Sequence, residues 1–373
     1  MFLPFYVALG VAILFYVLLP VLGGYLARNQ WRRFRERLLE LALSPRLRQE
    51  TWAKAAKGEG FPGAFRFHGE IEAMQGEDRI WVRGEDITAV VDLGTSWFHL
   101  LPDEGDGEAL EGRYSLVERM RWQRVRVFPE SAKVFVGGAV RVEEGVPVFF
   151  NDTREPLIVV SYGGNESNLL ARLIAGGRVR NEYWNPLSRT SLALGMGLLG
   201  IFFAFAGSHW LPTILFLSVL VSLAPVLTLL PPGLFLFFLY RNYWHRSLDE
   251  RVTRDLCRLP LRFLRRGDGS PVTKVEDADL PEGGTYRVRV GNSPPPEVPT
   301  FVAGSGDAGP WTIFTPENSE DPEIQRVAVA GDPVILARRS ERRALAATLV
   351  AGLCLGAALT VNLVSAFLLW RNA

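Results

Sequence analysis

Between Ser191 and Tyr240 the chain carries two long apolar runs separated by one polar break. SLALGMGLLGIFFAFAG comes first, Ser208, His209 and Trp210 interrupt, and LPTILFLSVLVSLAPVLTLLPPGLFLFFLY follows without a charge. Inside hydrocarbon, backbone groups are satisfied only within helices or closed barrels. A charge-free run of about 18 residues or more reads as a spanning helix. The two runs therefore predict a helical hairpin with spans at 191–207 and 211–239. Two further apolar runs lie at 2–26 and 344–370, so four spans are expected.

A net charge of +1 over 373 residues hides strong segregation, because the charges lie between the apolar runs. The segments 27–190 and 240–343 are each long enough for a small domain. The fold expected is membrane α-helical, with four spans, plus α+β: two mainly antiparallel β domains on the cytoplasmic side. Each half repeats the plan of span, arginine-rich exit, polar domain and span, which suggests a diverged internal duplication.

Arginines set the orientation. No charge precedes the first apolar run, and Arg28, Arg32, Arg33, Arg35 and Arg37 follow it, so it reads as an uncleaved anchor rather than a signal peptide. Arg178, Arg180 and Arg189 precede the second span, Arg241, Arg246, Arg251 and Arg254 follow the third, and Arg338, Arg339, Arg342 and Arg343 precede the fourth. By the positive-inside rule these ends are cytoplasmic. Both termini are then outside and both polar domains inside. The expected location is a cell membrane, multi-pass, and a bacterial inner membrane in particular. The sequons at Asn151 and Asn165 would not meet a glycosylation machinery on this topology.

Two basic amphipathic stretches border the spans. In 31–43, Trp31, Phe34, Leu38 and Leu41 recur at helical spacing; in 248–266, Leu248, Val252, Leu256 and Leu259 do the same. Two readings are open. Such a helix can lie in the headgroup layer with its arginines on anionic phosphates, or continue the span and pack on its domain. The first reading makes Arg32, Arg33, Arg35, Arg251, Arg254, Arg258 and Arg262 contacts to lipid headgroups.

From Gly60 the hydrophobic period changes to two. Strand-like runs fall at Phe65–His68, Arg79–Arg83, Ile87–Val91, Tyr114–Val117, Val125–Phe128, Lys133–Val142, Val146–Phe150 and Leu157–Tyr162, and a helix at Asn165–Ala175. The second polar segment shows shorter runs at Tyr286–Val290, Val298–Val302, Trp311–Phe314, Gln325–Val329 and Val334–Ala337.

Several of these segments resemble a known family. Arg79–Asp92 is similar to the strand–turn–strand of the beside-a-membrane domain of GIDE-type membrane proteins, which include mitochondrial ubiquitin ligases and prokaryotic relatives. Tyr114–Glu118, Lys133–Val140 and Pro156–Ser161 resemble the later blocks, in the same order, over about 79–206. The ligases of that family carry a cysteine- and histidine-rich RING after the last span. This chain has two cysteines, Cys257 and Cys354, so the resemblance implies the membrane-side domain and not ligase activity.

No catalytic set, metal site or cofactor site is expected. The acidic run Asp103–Glu111 lacks the ligand spacing of a calcium loop and reads as a solvated turn. His68 and His99 sit in strand-like runs and read as structural partners. No Asp, Glu, Lys or Arg lies inside the four apolar runs, although such groups mark transport sites. Pro225, Pro231 and Pro232 could break the third span in the manner of transporters, or simply kink it, and Asn362 reads as an interhelical tie. The leading expectation is a membrane-anchored scaffold or sensor that presents β domains to a protein partner, to a second copy of itself or to the anionic bilayer, with no nucleic acid involved. The rivals are a transporter or channel subunit, and a membrane-surface enzyme using His99 and the acidic run.

Overall fold

Helix runs without interruption from Leu3 to Leu43, joining the first apolar run to the amphipathic stretch that follows it. In the computed structural model it comprises α1 (Leu3–Ile13), a π-helical turn (Leu14–Leu18) and α2 (Leu19–Leu43). The structure describes residues 3–56, 63–94, 96–102, 117–125, 132–163, 169–179, 185–206, 212–263, 286–291, 301–303, 310–316 and 327–372. By contact the chain divides into two units. One comprises Met1–Arg32, Asn181–Arg251 and Glu341–Ala373; the other comprises Arg33–Arg180 and Val252–Ser340. The two polar segments thus group together in one unit.

The first unit is helical. Besides α1, the π-helical turn and the start of α2 it contains α5 (Pro186–Ala206), α6 (Pro212–Leu227), the start of α7 (Gly233–Phe263) and most of α8 (Pro333–Asn372). Three helices, Phe5–Ala42, Leu187–Phe205 and Pro333–Asn372, are long and apolar enough to cross a membrane; Leu215–Leu227 is apolar but shorter. The four expected spans are corrected to these three. The run 211–239 is not one helix: α6 ends at Leu227, residues 228–232 are turn, and α7 opens at Gly233. Pro231 and Pro232 offer no N–H to the preceding turn, so a continuous α-helix cannot pass through them.

Three contacts show how α6 and α7 lie along α8. Phe216 stacks on Trp370 at 4.7 Å between centroids. Gly233 N–H donates to Asn362 Oδ1 at 2.9 Å. Ser247 Oγ and Thr348 Oγ1 are 2.7 Å apart. As α6 and α7 ascend from 216 to 247, their partners on α8 descend from 370 to 348. The broken segment therefore follows α8 antiparallel as one rod with a gap in it.

The second unit is β-rich. Its larger sheet has eight strands in the order β1-β2-β3-β7-β6-β8-β4-β5, and β1 also pairs with β6. The strands are β1 (Phe65–Gln75), β2 (Arg79–Arg83), β3 (Thr88–Asp92), β4 (Trp97–Leu101), β5 (Glu118–Arg121), β6 (Lys133–Glu143), β7 (Val146–Phe150) and β8 (Ile158–Tyr162). β1 serves two partners: Phe65–Glu70 pair with β6 and Glu70–Gln75 with β2. The ring β1-β2-β3-β7-β6 is closed, the arrangement of a small Greek-key barrel. A register shift between Ile71 and Ala73 marks the turn in β1, and bulges of this kind sharpen strand curvature. Gly69 beside it has the Arg83 carbonyl where a Cβ would stand. The pairs β3–β7 and β4–β8 are parallel and the remaining pairings are antiparallel, so the sheet is mixed but mainly antiparallel, as expected.

Alternation fills the ring. Phe65, Phe67, Ile80, Val82, Val136 and Phe149 are among its buried core residues. The opposite face of β6, β8 and β4 is covered by helix. Leu38 and Ala42 of α2 meet Phe135 and the buried residues Leu169, Leu170 and Leu173 of α4 (Leu169–Val179). Gly137 gives α2 room, because a Cβ there would lie 2.5 Å from Leu41 Cδ1. Ahead of this sheet a short α3 spans Gln49–Ala56. The amphipathic stretch 31–43 thus continues the first helix and packs on the β unit.

A smaller sheet has the order β10-β12-β11-β9, formed by β9 (Tyr286–Gly291), β10 (Phe301–Ala303), β11 (Trp311–Pro316) and β12 (Val327–Ala330). Among the described residues the two sheets differ in strand number and order, and their topology gives the duplication no support. Val334–Ala337, expected as a strand, is the first turn of α8. Asp332 Oδ1 accepts from Val334 N–H at 2.7 Å, and Pro333 occupies the first helical position, which proline favours. The acidic run 103–111, the sequon at Asn165, Arg265 and Arg266, and most of Tyr114–Val117 and Val125–Phe128 lie outside the described residues.

Candidate functional site

Two sets of side chains qualify: the arginines of α2 and α7 that follow apolar runs, and the polar groups buried among the apolar helices.

On α2, Arg32 and Arg33 are exposed and Arg35 is half-buried. Arg32 Nη2 reaches Asn29 Oδ1 at 3.4 Å. One turn on, Arg37 pairs with Glu155 and, at 3.2 Å, with Glu40, which fixes α2 to the β unit. On α7 the arginines are held differently. Arg251 Nη2 donates to Thr348 Oγ1 at 3.2 Å. Arg254 closes on Asp255, with Nε at 3.0 Å and Nη2 at 2.9 Å from Oδ1. Arg258 is half-buried, and Arg262 lies in the last turn of α7 with its side chain outside the described residues. Leu248, Val252, Leu256 and Leu259 are buried, as their spacing requires. The expected headgroup residues are therefore not equivalent: Arg32 and Arg33 face outward, whereas Arg251 and Arg254 bond to neighbours in the protein.

Inside the apolar helices, polar ties cluster where the helices are irregular. The π-helical turn presents buried Tyr16, whose hydroxyl donates to the Ser222 carbonyl at 2.8 Å. Gly195 of α5 lets that turn approach, since a Cβ there would meet Phe15 and Tyr16 at 2.7 Å. Asn185 accepts from Leu187 and Ser188 N–H at the start of α5 and donates to the Pro20 carbonyl at 3.2 Å. Asn362 fills the break between α6 and α7: its amide donates to the carbonyls of Leu227 and, at 2.8 Å, Leu230, while Gly233 donates to its oxygen. Backbone groups released by a broken helix must find partners in an apolar medium, and Asn362 supplies three. Sequence reasoning identified Asn362 and missed Tyr16 and Asn185; the Asn-Pro pair at 185–186 was the available signal for a helix start.

The histidines are packed. His99 Nδ1 lies 3.3 Å from the Val159 carbonyl, and its ring is 4.3 Å from that of Phe34. Burial, and secondarily Arg119, lower its pKa to about 3, against the opposing pull of the Val159 carbonyl. His68 Nδ1 is 3.5 Å from the Tyr162 hydroxyl. Burial pushes the Cys257 thiol up to about 12, the reverse of an activated nucleophile. Among the described residues no group of three or more His, Cys, Asp or Glu could hold a metal ion. The chain matches no family model, no curated protein and no solved structure.

Proposed function

We propose that this chain is a membrane-anchored scaffold or sensor, multi-pass, that presents its β unit at the cytoplasmic face to a protein partner or to anionic headgroups. The observation that carries the reading is the first uninterrupted helix. Apolar from Leu3 to Leu26, it continues without interruption to Leu43, and Phe34, Leu38 and Leu41 bury themselves in the β unit. One continuous helix therefore contributes both to the apolar unit and to the core of the β unit. The resemblance of 79–206 to the beside-a-membrane domain points the same way.

The break at 228–232 favours a second reading, a transporter or channel subunit. Its exposed backbone, however, is bonded to Asn362 rather than left for a solute, and the apolar runs contain no charge. The scaffold is the better account.

Cysteine accessibility in intact cells tests the anchoring and its orientation. A cysteine replacing Ser208 should label from outside, and one replacing Gly105 only after permeabilisation. Outside labelling at Gly105 overturns the proposal.

A further inference from the structure

Among the described residues β5 is the last strand of the larger sheet. It pairs antiparallel with β4, Trp97 opposite Arg121, Phe98 opposite Met120, His99 opposite Arg119 and Leu100 opposite Glu118. Trp122 N–H donates to the Ser96 carbonyl at 3.3 Å, and this bond sets the phase of the ladder. Bonded and non-bonded pairs alternate between antiparallel strands, so Trp97 and Arg121 form a non-bonded pair. The backbone N–H and carbonyl of Arg121 then point away from β4, to the outer side of the sheet. Arg121 is extended, at φ −74° and ψ 140°, as a further strand would require.

The two faces of this edge differ in chemistry. Strand alternation puts Trp97, Arg119 and Arg121 on one face and Phe98, Met120 and Glu118 on the other. On the first face Trp97 is 39% exposed. The guanidinium of Arg119 lies 3.8 Å from its ring centroid and that of Arg121 5.5 Å. Arg121 is exposed, as is Arg124 in the 3₁₀ turn Trp122–Arg124. Contact with the indole restrains the guanidiniums, so less side-chain freedom is lost when they meet an anion. On the second face half-buried Met120 packs against the core that contains Phe98, and so carries apolar surface out to the edge.

We propose that β5 is a docking edge for an extended segment of a partner protein in which acidic and apolar residues alternate, an inference that rests on the scaffold reading above and names the partner's chemistry. The segment adds as a further strand, its backbone pairing with the N–H and carbonyl of Arg121. Its acidic residues then lie on the face of Arg119 and Arg121, with Arg124 one 3₁₀ turn further on, and a carboxylate suits the planar fork of arginine. Its apolar residues lie on the face of Met120. Outward backbone groups and an apolar second face favour a peptide over a bilayer or a soluble phosphate, either of which would engage the guanidiniums alone.

The test is fluorescence anisotropy of a labelled peptide alternating glutamate and valine, titrated with the whole chain in neutral detergent micelles at low salt. Binding should saturate, and a lysine–valine peptide should bind at least about tenfold more weakly. Methylating the glutamate backbone nitrogens, which would face Arg121, keeps every charge and should lower affinity at least about tenfold. Arg121→Glu with Arg124→Glu should lose about tenfold for the acidic peptide and gain as much for the lysine peptide; the gain shows that the variant is folded. Absence of saturable binding, or equal binding of the lysine or the methylated peptide by the parent chain, overturns the proposal. So does unchanged binding by a folded double variant. Binding of anionic bicelles in place of the peptide, lost in the same variant, would assign the arginines to a bilayer and also overturns it. Cysteine labelling at 208 and 105 decides the anchored reading separately, so failure of that reading is distinct from failure here.

Discussion

Replacing Asn362 by leucine should destabilise the helical unit by about 2–5 kcal/mol. The substitution keeps the number and branching of the side-chain heavy atoms and removes three interhelical hydrogen bonds, those from the amide to the carbonyls of Leu227 and Leu230 and that from Gly233 N–H. Interhelical hydrogen bonds in membranes average about 0.6 kcal/mol and reach about 1.7, which sets the range for three. The upper part applies because the break cannot re-form a helix: Pro231 and Pro232 offer no donors, so the freed carbonyls stay unpaired in an apolar setting. Leucine also lacks the polar end that Gly233 approaches. The assay is reversible unfolding of the whole chain in mixed micelles, titrated with a denaturing detergent, with Asn362→Gln as the conservative comparison. Glutamine should recover part of the loss, because it keeps donor and acceptor on a longer arm. If the leucine variant unfolds within about 0.5 kcal/mol of the parent, the tie contributes nothing net, and the break must be held by packing alone.

Acid should loosen the β unit through His99. Its folded pKa is lowered to about 3 from about 6.5 in the unfolded chain, so the unfolded state binds the extra proton between these values. The contribution is fully present above pH 6.5 and is lost as pH falls towards 3; at pH 5 the loss is about 2 kcal/mol. Thermal unfolding as a function of pH should show that slope, and His99→Gln should flatten it; an unchanged slope would refute the assignment. Gly137→Ala should cost about 1–3 kcal/mol by overpacking against Leu41, and Leu41→Ala in the same chain should make the two effects less than additive in a double-mutant cycle. Tyr16→Phe should cost about 0.6–1.7 kcal/mol through its lost bond to the Ser222 carbonyl, measured by the same detergent titration; no change would mean that the hydroxyl is equally well satisfied without Ser222.

The amino-acid sequence by itself determined the placement of the apolar runs, the two amphipathic helices with their buried faces, and the strands β2, β6, β7 and β8 to within a residue or so. These depend on local periodicity and on charge, which each segment carries whatever surrounds it. Pro333 after Asp332 is an equally local signal for a helix start, and the cap decided the helix over the β-branched Val334 and Ile335. Only the tertiary structure decided the rest. The ring closure depends on β1 bending to pair with both β2 and β6, and no residue in β1 names its partner. The prolines break 211–239 locally, but the partner for the backbone they release is Asn362, 129 residues after Gly233. The same holds for the arginines. Both α2 and α7 carry a series of arginines, but Thr348 and Asp255 engage Arg251 and Arg254 while Arg33 stays exposed. Which cations face outward is settled by what each one meets in the fold, Thr348 at 97 residues' separation for Arg251 and the adjacent Asp255 for Arg254, and helical periodicity alone does not say which.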